Sequence, residues 1–314
     1  MKFKYTQSNM ALGCEVVIVL VSDKGQDYID DIFAQLWRDI FNFEQQFSRF
    51  LPTSELSIFN RNGGFKNSIS KEFRQLLVEA RKIAKLSDGL YNPFILPALQ
   101  RSGYSRSFVP GTEDDIHDDF SGYMVANIDS LIIGDDWAQI PIKSALDLGG
   151  CGKGYLGDQL AKWLPRKVSG YSISLGGDIT TYGVDEMNHN WTISIQKSGS
   201  QEGISIGQIT MPTSAFSVAT SGVNKRSGTV NGKAWHHIID PRTQESAVTD
   251  ISFVTLITES CLKADVLASC GLIAGEGNID EYLHSRGVTN GLIQFDESSL
   301  DQKPILLGDM IKLS

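Results

Sequence analysis

Polar and apolar positions alternate over Lys2–Gln7, and an apolar run follows over Glu15–Val21; both predict strands. Ile29, Phe33, Leu36, Ile40, Phe43 and Phe47 then recur at three- and four-residue steps, predicting a long amphipathic helix. It should end near FSRFLP, where Pro52 blocks continuation. Ser70 is a good N-cap for a second helix with Phe73, Leu76, Leu77, Ala80, Ile83 and Ala84 on one stripe and Gly89 as its stop. LYNPF (90–94) reads as a turn into a loop, and residues 105–122 as a polar, acidic surface excursion. A helix with Leu156, Leu160 and Trp163 inward comes next. From 171 to 258 the chain turns to short strand runs separated by Gly, Asn, Pro and Ser, with VNGK (230–233) as a hairpin turn. A helix carrying Leu262, Val266, Leu267 and Cys270, a short helix and a final strand or two complete the pattern. There is no internal repeat and no low-complexity linker. Helices on mainly antiparallel strands predict a single α+β domain over 1–314, with a shallow two-lobed shape.

Composition narrows the function. The chain has 314 residues, 41% of them hydrophobic, enough for a substantial core. Its net charge is −9 and its basic residues are scattered, which argues against a nucleic-acid partner, since phosphate backbones are held by clustered Lys and Arg. Cys14, Cys151, Cys261 and Cys270 form no CxxC pair and read as reduced, mostly packed thiols. The longest apolar run near the N-terminus, Val16–Val21, is too short for a signal-peptide core or a membrane span. The expected location is therefore cytoplasmic for the chain as given. Export or membrane anchoring is the alternative for a chain whose signal has been removed.

The candidate chemistry starts at ALDLGGCGKGYLGD (145–158), where an acid closes an apolar run and glycines crowd around Lys153. Glycines at a strand-to-helix junction let backbone approach a ligand and expose N–H groups to an anion. The stretch is not a P-loop: Asp147 and Gly154 stand where GxxxxGK[ST] needs a glycine and a hydroxyl. Other stretches add to it. SLGGDI (174–179) is a second Gly-Gly turn followed by an acid, and VATSG (218–222) ends a strand with two hydroxyls. LKADVLAS (262–269) puts Asp265 and Ser269 one helical turn apart on one face, a hard-oxygen pair suited to Mg²⁺. In WHHIIDPRT (235–243), strand alternation should turn one of His236 and His237 to the core side and the other away, and His237 is a candidate general base.

Taken in order with FSRFLPTSELSIFN and SDGLYNPFILPAL, these stretches resemble the ApbE family, the FAD:protein FMN transferases, from about residue 10 to 275. The resemblance implies a T-fold-like α+β domain that binds FAD and Mg²⁺, splits the FAD pyrophosphate, transfers FMN to a Ser or Thr hydroxyl and releases AMP. The implied partner is an acceptor protein with a flavinylation motif, of the kind found in subunits of membrane redox complexes. Carried over by residue, Asp147 and Lys153 become FAD contacts, and the Gly150 carbonyl, Asp265 and Ser269 become metal ligands. His237 becomes the base for the acceptor hydroxyl, and Leu12, Phe50, Leu90, Tyr91 and Asn92 line the flavin or adenine pocket. Ser269 replaces the family's Thr, Asn92 stands where Asp is common, and Cys151 takes an often aliphatic or small position.

Three other functions use the same residues differently. An FAD pyrophosphatase would use water as nucleophile at the same site. A non-catalytic FAD-binding protein would release no AMP and be indifferent to His237→Ala. A flavin oxidoreductase would turn over NAD(P)H. The chain also lacks an acceptor-like Asp-Gly-x-Thr-Gly-Ala-Thr stretch, so a separate acceptor is implied.

Overall fold

The structure, a computed structural model, describes residues 1–105, 118–198, 200, 203–224, 226–230, 232–296 and 303–314. Most of the predicted 105–122 excursion, residues 106–117, lies outside them, as does Asn231 of the predicted hairpin turn. The helices, in chain order, are α1 (Gln26–Phe47), α2 (Glu55–Arg61), α3 (Lys71–Leu86), α4 (Leu96–Ser102), α5 (Gly152–Trp163), α6 (Cys261–Ala274) and α7 (Ile279–His284). With the antiparallel sheets around them they make an α+β fold. The chain forms two compact units: Met1–Phe41, Lys153–Gly222 and Thr249–Ser314 in the first, Asn42–Gly152 and Val223–Val248 in the second.

The first unit is built on an eight-stranded antiparallel sheet. Its order is Phe3–Ala11, Cys14–Ser22, Gly170–Leu175, Asp178–Gly183, Phe216–Gly222, Ile251–Thr258, Asn290–Phe295 and Ile305–Leu307. A three-stranded sheet (Ile311–Leu313, Ser205–Thr210, Thr192–Gln196) closes one core, in which Trp191, Ile209 and Met211 meet Val21, Val218, Ile257 and Leu292. Helix α6 packs on Phe216–Gly222 and Ile251–Thr258 and is buried nearly all round, so its apolar residues show no single stripe. Its sequence signal was therefore weaker than that of α3, whose stripe and Ser70 cap appear as predicted: the Ser70 hydroxyl accepts the Phe73 N–H at 3.0 Å. Gly89 follows with φ +77°, the left-handed conformation expected of a helix stop.

The second unit holds α2, α3, α4, a small sheet (Asn67–Ser68, Trp137–Gln139, Ile132–Ile133) and two short hairpins. Phe59 and Phe47 both pack against Phe73 at its centre. Two helices here escaped the hydrophobic pattern because each is only seven residues long. Ser54 caps α2 by accepting the Ser57 N–H. The segment from the end of LYNPF onward, predicted as a loop, forms a 3₁₀ turn at Pro93–Ile95 and then α4, because Asn92 caps the Phe94 N–H and two prolines sit at first-turn positions, where no N–H is needed. The hairpin at 230–233 is present, with Val230 opposite Lys233 and Gly232 at φ +78°. Trp163 is only half-buried; Leu164, one residue on, is fully buried. No described helix is long and apolar enough to cross a membrane.

Candidate active site

In the first unit, two tight turns lie side by side at one end of the large sheet. Leu12 and Gly13 (φ +57° and +68°) join its first two strands, and Gly176 and Gly177 (φ +68° and +102°) join Gly170–Leu175 to Asp178–Gly183. The second turn comes so close to Cys14 that a Cβ on Gly176 would lie 2.7 Å from the thiol sulfur. Leu12 is a bulky residue in the left-handed region, which costs about 1 kcal/mol or more. Asp178 leaves the second turn buried, and the Lys153 ammonium, from the first turn of α5, bonds to its carboxylate. Burial alone would drive the proton off Lys153. The adjacent Asp178 and Asp265 carboxylates outweigh it and raise the lysine's pKa, so the ammonium is firmly charged.

Asp265 and Ser269 share one face of α6, as their spacing predicted. Asp265 is 7% exposed and accepts the Gly154 N–H at 3.2 Å. The Ser269 hydroxyl lies 2.8 Å from that of Ser221, in the VATSG strand, while Thr220 points the other way to Thr255. Carboxylate and hydroxyls are hard oxygen donors and fit a Mg²⁺ ion better than a softer metal. Among the described residues no three His, Cys, Asp or Glu side chains gather as a metal site. That bears on centres of three or more such side chains, not on one carboxylate with hydroxyls.

The glycines of the 145–158 stretch divide by role. A Cβ on Gly154 would lie 2.7 Å from Leu262 Cα and 2.8 Å from the Cys261 carbonyl, and one on Gly157 would lie 3.0 Å from the Cys261 sulfur. These two glycines let α5 lie against the start of α6. Asp158, the last residue of the stretch, accepts the Ser260 hydroxyl and the Cys261 and Leu262 N–H groups, and so caps α6. Its capping role was missed because the groups it binds are about a hundred residues away. Cys261 beneath is inert: burial, reinforced by Asp178, Asp158 and Asp265, raises its thiol pKa well above the usual range. Gly154→Ala should therefore cost about 1–3 kcal/mol, the scale of overpacking, and displace Asp265 as well. Urea unfolding checks the first; a loss confined to stability, with cation affinity unchanged, would contradict the second.

In the second unit, Asp147 does not follow a strand, contrary to the predicted strand-to-helix junction. Residues 145–148 pair with no strand because their backbone bonds go elsewhere. The Asn60 amide both donates to the Leu146 carbonyl and accepts its N–H (2.9 and 2.8 Å), and the Asp147 N–H meets the Pro93 carbonyl at 2.7 Å. Asp147 is buried and pairs with Arg49, Nε to Oδ2, at 2.6 Å. Gly150 is exposed, and a Cβ there would lie 3.5 Å from the Tyr91 ring. Leu90 is buried just before it. Asn92 caps Phe94 with its oxygen and donates its amide to the Ala126 carbonyl at 2.9 Å. An aspartate could make the first bond and not the second, which is a structural reason for the asparagine.

The histidines depart from the expected alternation. The strand Lys233–His236 ends before His237, whose N–H bonds to the Arg226 carbonyl, and both histidines are half-buried rather than split between core and solvent. Strand alternation stops applying where the ladder stops. His236 Nε2 lies 3.0 Å from the Ala247 carbonyl, and burial lowers its pKa against that bond. His237 packs edge-on to Tyr104, with centroids 6.4 Å apart. Phe50 lies near the same ring, at 6.1 Å. Thus Asp147, Phe50 and His237 gather in the second unit, and Lys153, Asp265 and Ser269 in the first. Leu12 stands at the neighbouring hairpin turn of the first unit. Sequence reasoning did not single out Arg49, and noted Asp178 only as the acid after the SLGGDI turn.

The fold and these residues define an α+β protein with a carboxylate–hydroxyl pair beside a half-buried lysine and a separate buried Arg–Asp pair near a histidine. The ApbE family profile matches residues 12–293, and the chain belongs to that family. It is 25% identical over 269 residues to the FAD:protein FMN transferase of Klebsiella pneumoniae (strain 342), covering 83% of this chain and 80% of that protein. Among solved structures, the ApbE protein of Thermotoga maritima superposes with a TM-score of 0.79 at 23% identity, covering 99% of this chain and 97% of that one. The flavin transferase ApbE of Vibrio cholerae also gives 0.79, at 22% identity and 98% of both chains. These likenesses agree with the mainly antiparallel α+β fold read from the sequence.

Proposed function

We propose that the protein is an FAD:protein FMN transferase that moves FMN from FAD to a Ser or Thr hydroxyl of an acceptor protein, with Mg²⁺, and releases AMP. Supporting the reading is the family match across nearly the whole chain, together with the co-location of Lys153, Asp265 and Ser269. In the reaction the acceptor oxygen bonds to the FMN phosphorus as the pyrophosphate P–O bond breaks. The hydroxyl proton passes to His237 and AMP leaves as the phosphate. Lys153, held charged, serves the pyrophosphate, and Asp147 orients FAD. Asp265 and Ser269 would hold Mg²⁺, which when bound spreads the negative charge of the transferring phosphate. The acceptor we propose is a subunit of a membrane redox complex carrying a flavinylation motif.

The deciding experiment incubates the protein with FAD, Mg²⁺ and a carrier bearing an acceptor motif, read by in-gel flavin fluorescence and intact mass. An FMN-sized adduct on the carrier is expected. FMN and AMP without an adduct would make the protein an FAD pyrophosphatase, and intact bound FAD would make it a binding protein. Asp265→Ala should lower adduct formation by about 10²–10³, the scale of losing one charge-stabilising group. It should also weaken Mg²⁺ binding measured by calorimetry.

A further inference from the structure

We propose that Arg49 is a positioning residue, which fixes the Asp147 carboxylate directly and the His237 imidazole through the Tyr104 ring. What Asp147 and His237 do in the reaction rests on the transferase reading above; that Arg49 positions them rests on the following contacts. The guanidinium of Arg49 lies over the Phe50 ring at 4.2 Å and over the Tyr104 ring at 4.6 Å. Its Nη2 donates to the Tyr104 carbonyl at 3.1 Å and its Nε meets Asp147 Oδ2 at 2.6 Å. The other carboxylate oxygen accepts the Gly149 N–H at 2.9 Å, so both oxygens are tied. The Arg49 and Asp147 side chains are 7% and 9% exposed. The Tyr104 ring that carries the guanidinium stacks on Trp235 at 6.2 Å and meets His237 edge-on.

A buried ion pair adds little net stability, since desolvation offsets its attraction. This pair instead gives geometry. A planar guanidinium can stack on two rings and donate in its plane at once, which an ammonium cannot do. Arg49 thus fixes the direction of the Asp147 carboxylate and the plane of Tyr104, and the Tyr104 ring limits the tilt of His237. The sequence places Arg49 inside FSRF, where it reads as an ordinary polar residue after a helix.

The test uses the full chain with Arg49→Lys, Arg49→Met and Tyr104→Leu. Three quantities are read: unfolding midpoint, the His237 ring-proton resonance assigned with His237→Gln, and FAD affinity by fluorescence quenching. Arg49→Lys is expected to fold, shift the His237 resonance and weaken FAD binding by on the order of tenfold, as loss of an orienting partner does. Arg49→Met should weaken it further, and Tyr104→Leu should shift the same resonance. An Arg49→Lys chain that keeps either the wild-type resonance or the wild-type FAD affinity overturns the proposal. If Arg49→Met fails to fold, Arg49→Lys decides alone. A wild-type chain that binds no FAD, with the resonance still moved by Arg49→Lys, overturns the transferase reading and upholds the positioning contact.

Discussion

Asp178→Ala is expected to destabilise the protein by about 3–5 kcal/mol, the cost of leaving one member of a buried ion pair without its partner. Asp178 is 3% exposed as a residue, and Lys153 is the group it would abandon. Lys153 would keep Asp265 as a neighbouring charge, which places the loss toward the lower end of that range. Asp178→Asn, which keeps an acceptor oxygen, should lose less. The double variant Asp178→Ala/Lys153→Met should recover much of the loss, because it removes both charges together. Urea unfolding of the wild type, Asp178→Ala, Asp178→Asn, Lys153→Met and the double variant measures this. Strict additivity of the Asp178→Ala and Lys153→Met effects would show that the charges do not act as a pair.

The second large effect concerns turnover. His237→Ala should slow flavinylation of a carrier protein by about 10²–10⁴, the usual contribution of a placed general base, while FAD still binds. The same variant should slow FAD hydrolysis less than transfer wherever water needs no activation by this residue. Single-turnover flavin fluorescence on the carrier separates these effects from binding. Equal rates for wild-type and His237→Ala chains would remove His237 from the chemistry and leave it as a packing partner of Tyr104.

Much of the fold was legible because local signals were strong. The stripe and Ser70 cap of α3, the long face of α1 and the hairpin that pairs Val230 with Lys233 are decided within a few residues of chain. The Asp265–Ser269 pair was legible for the same reason, since four residues on a helix make one turn. α2 and α4 were not, because seven residues carry too little periodicity, and their caps, Ser54 and Asn92, look like loop residues until the following N–H groups turn toward them. The His236/His237 alternation failed where the strand ended one residue early.

By itself, the order of the apolar and polar residues determined an α+β chain with mainly antiparallel strands and placed a carboxylate and a hydroxyl on one face of α6. The glycines marked where backbone had to come close. Which partner each glycine faced was a tertiary matter: Gly154 and Gly157 admit the start of α6, some hundred residues on, and Gly176 admits Cys14 from the neighbouring hairpin. The same holds for the buried and half-buried charges. Lys153 with Asp178, Arg49 with Asp147 and Asp158 at the head of α6 are pairs between residues 25 to 104 positions apart. No local preference selects such partners. They are chosen when burial makes an unmatched charge too costly and the fold brings the matching group within reach.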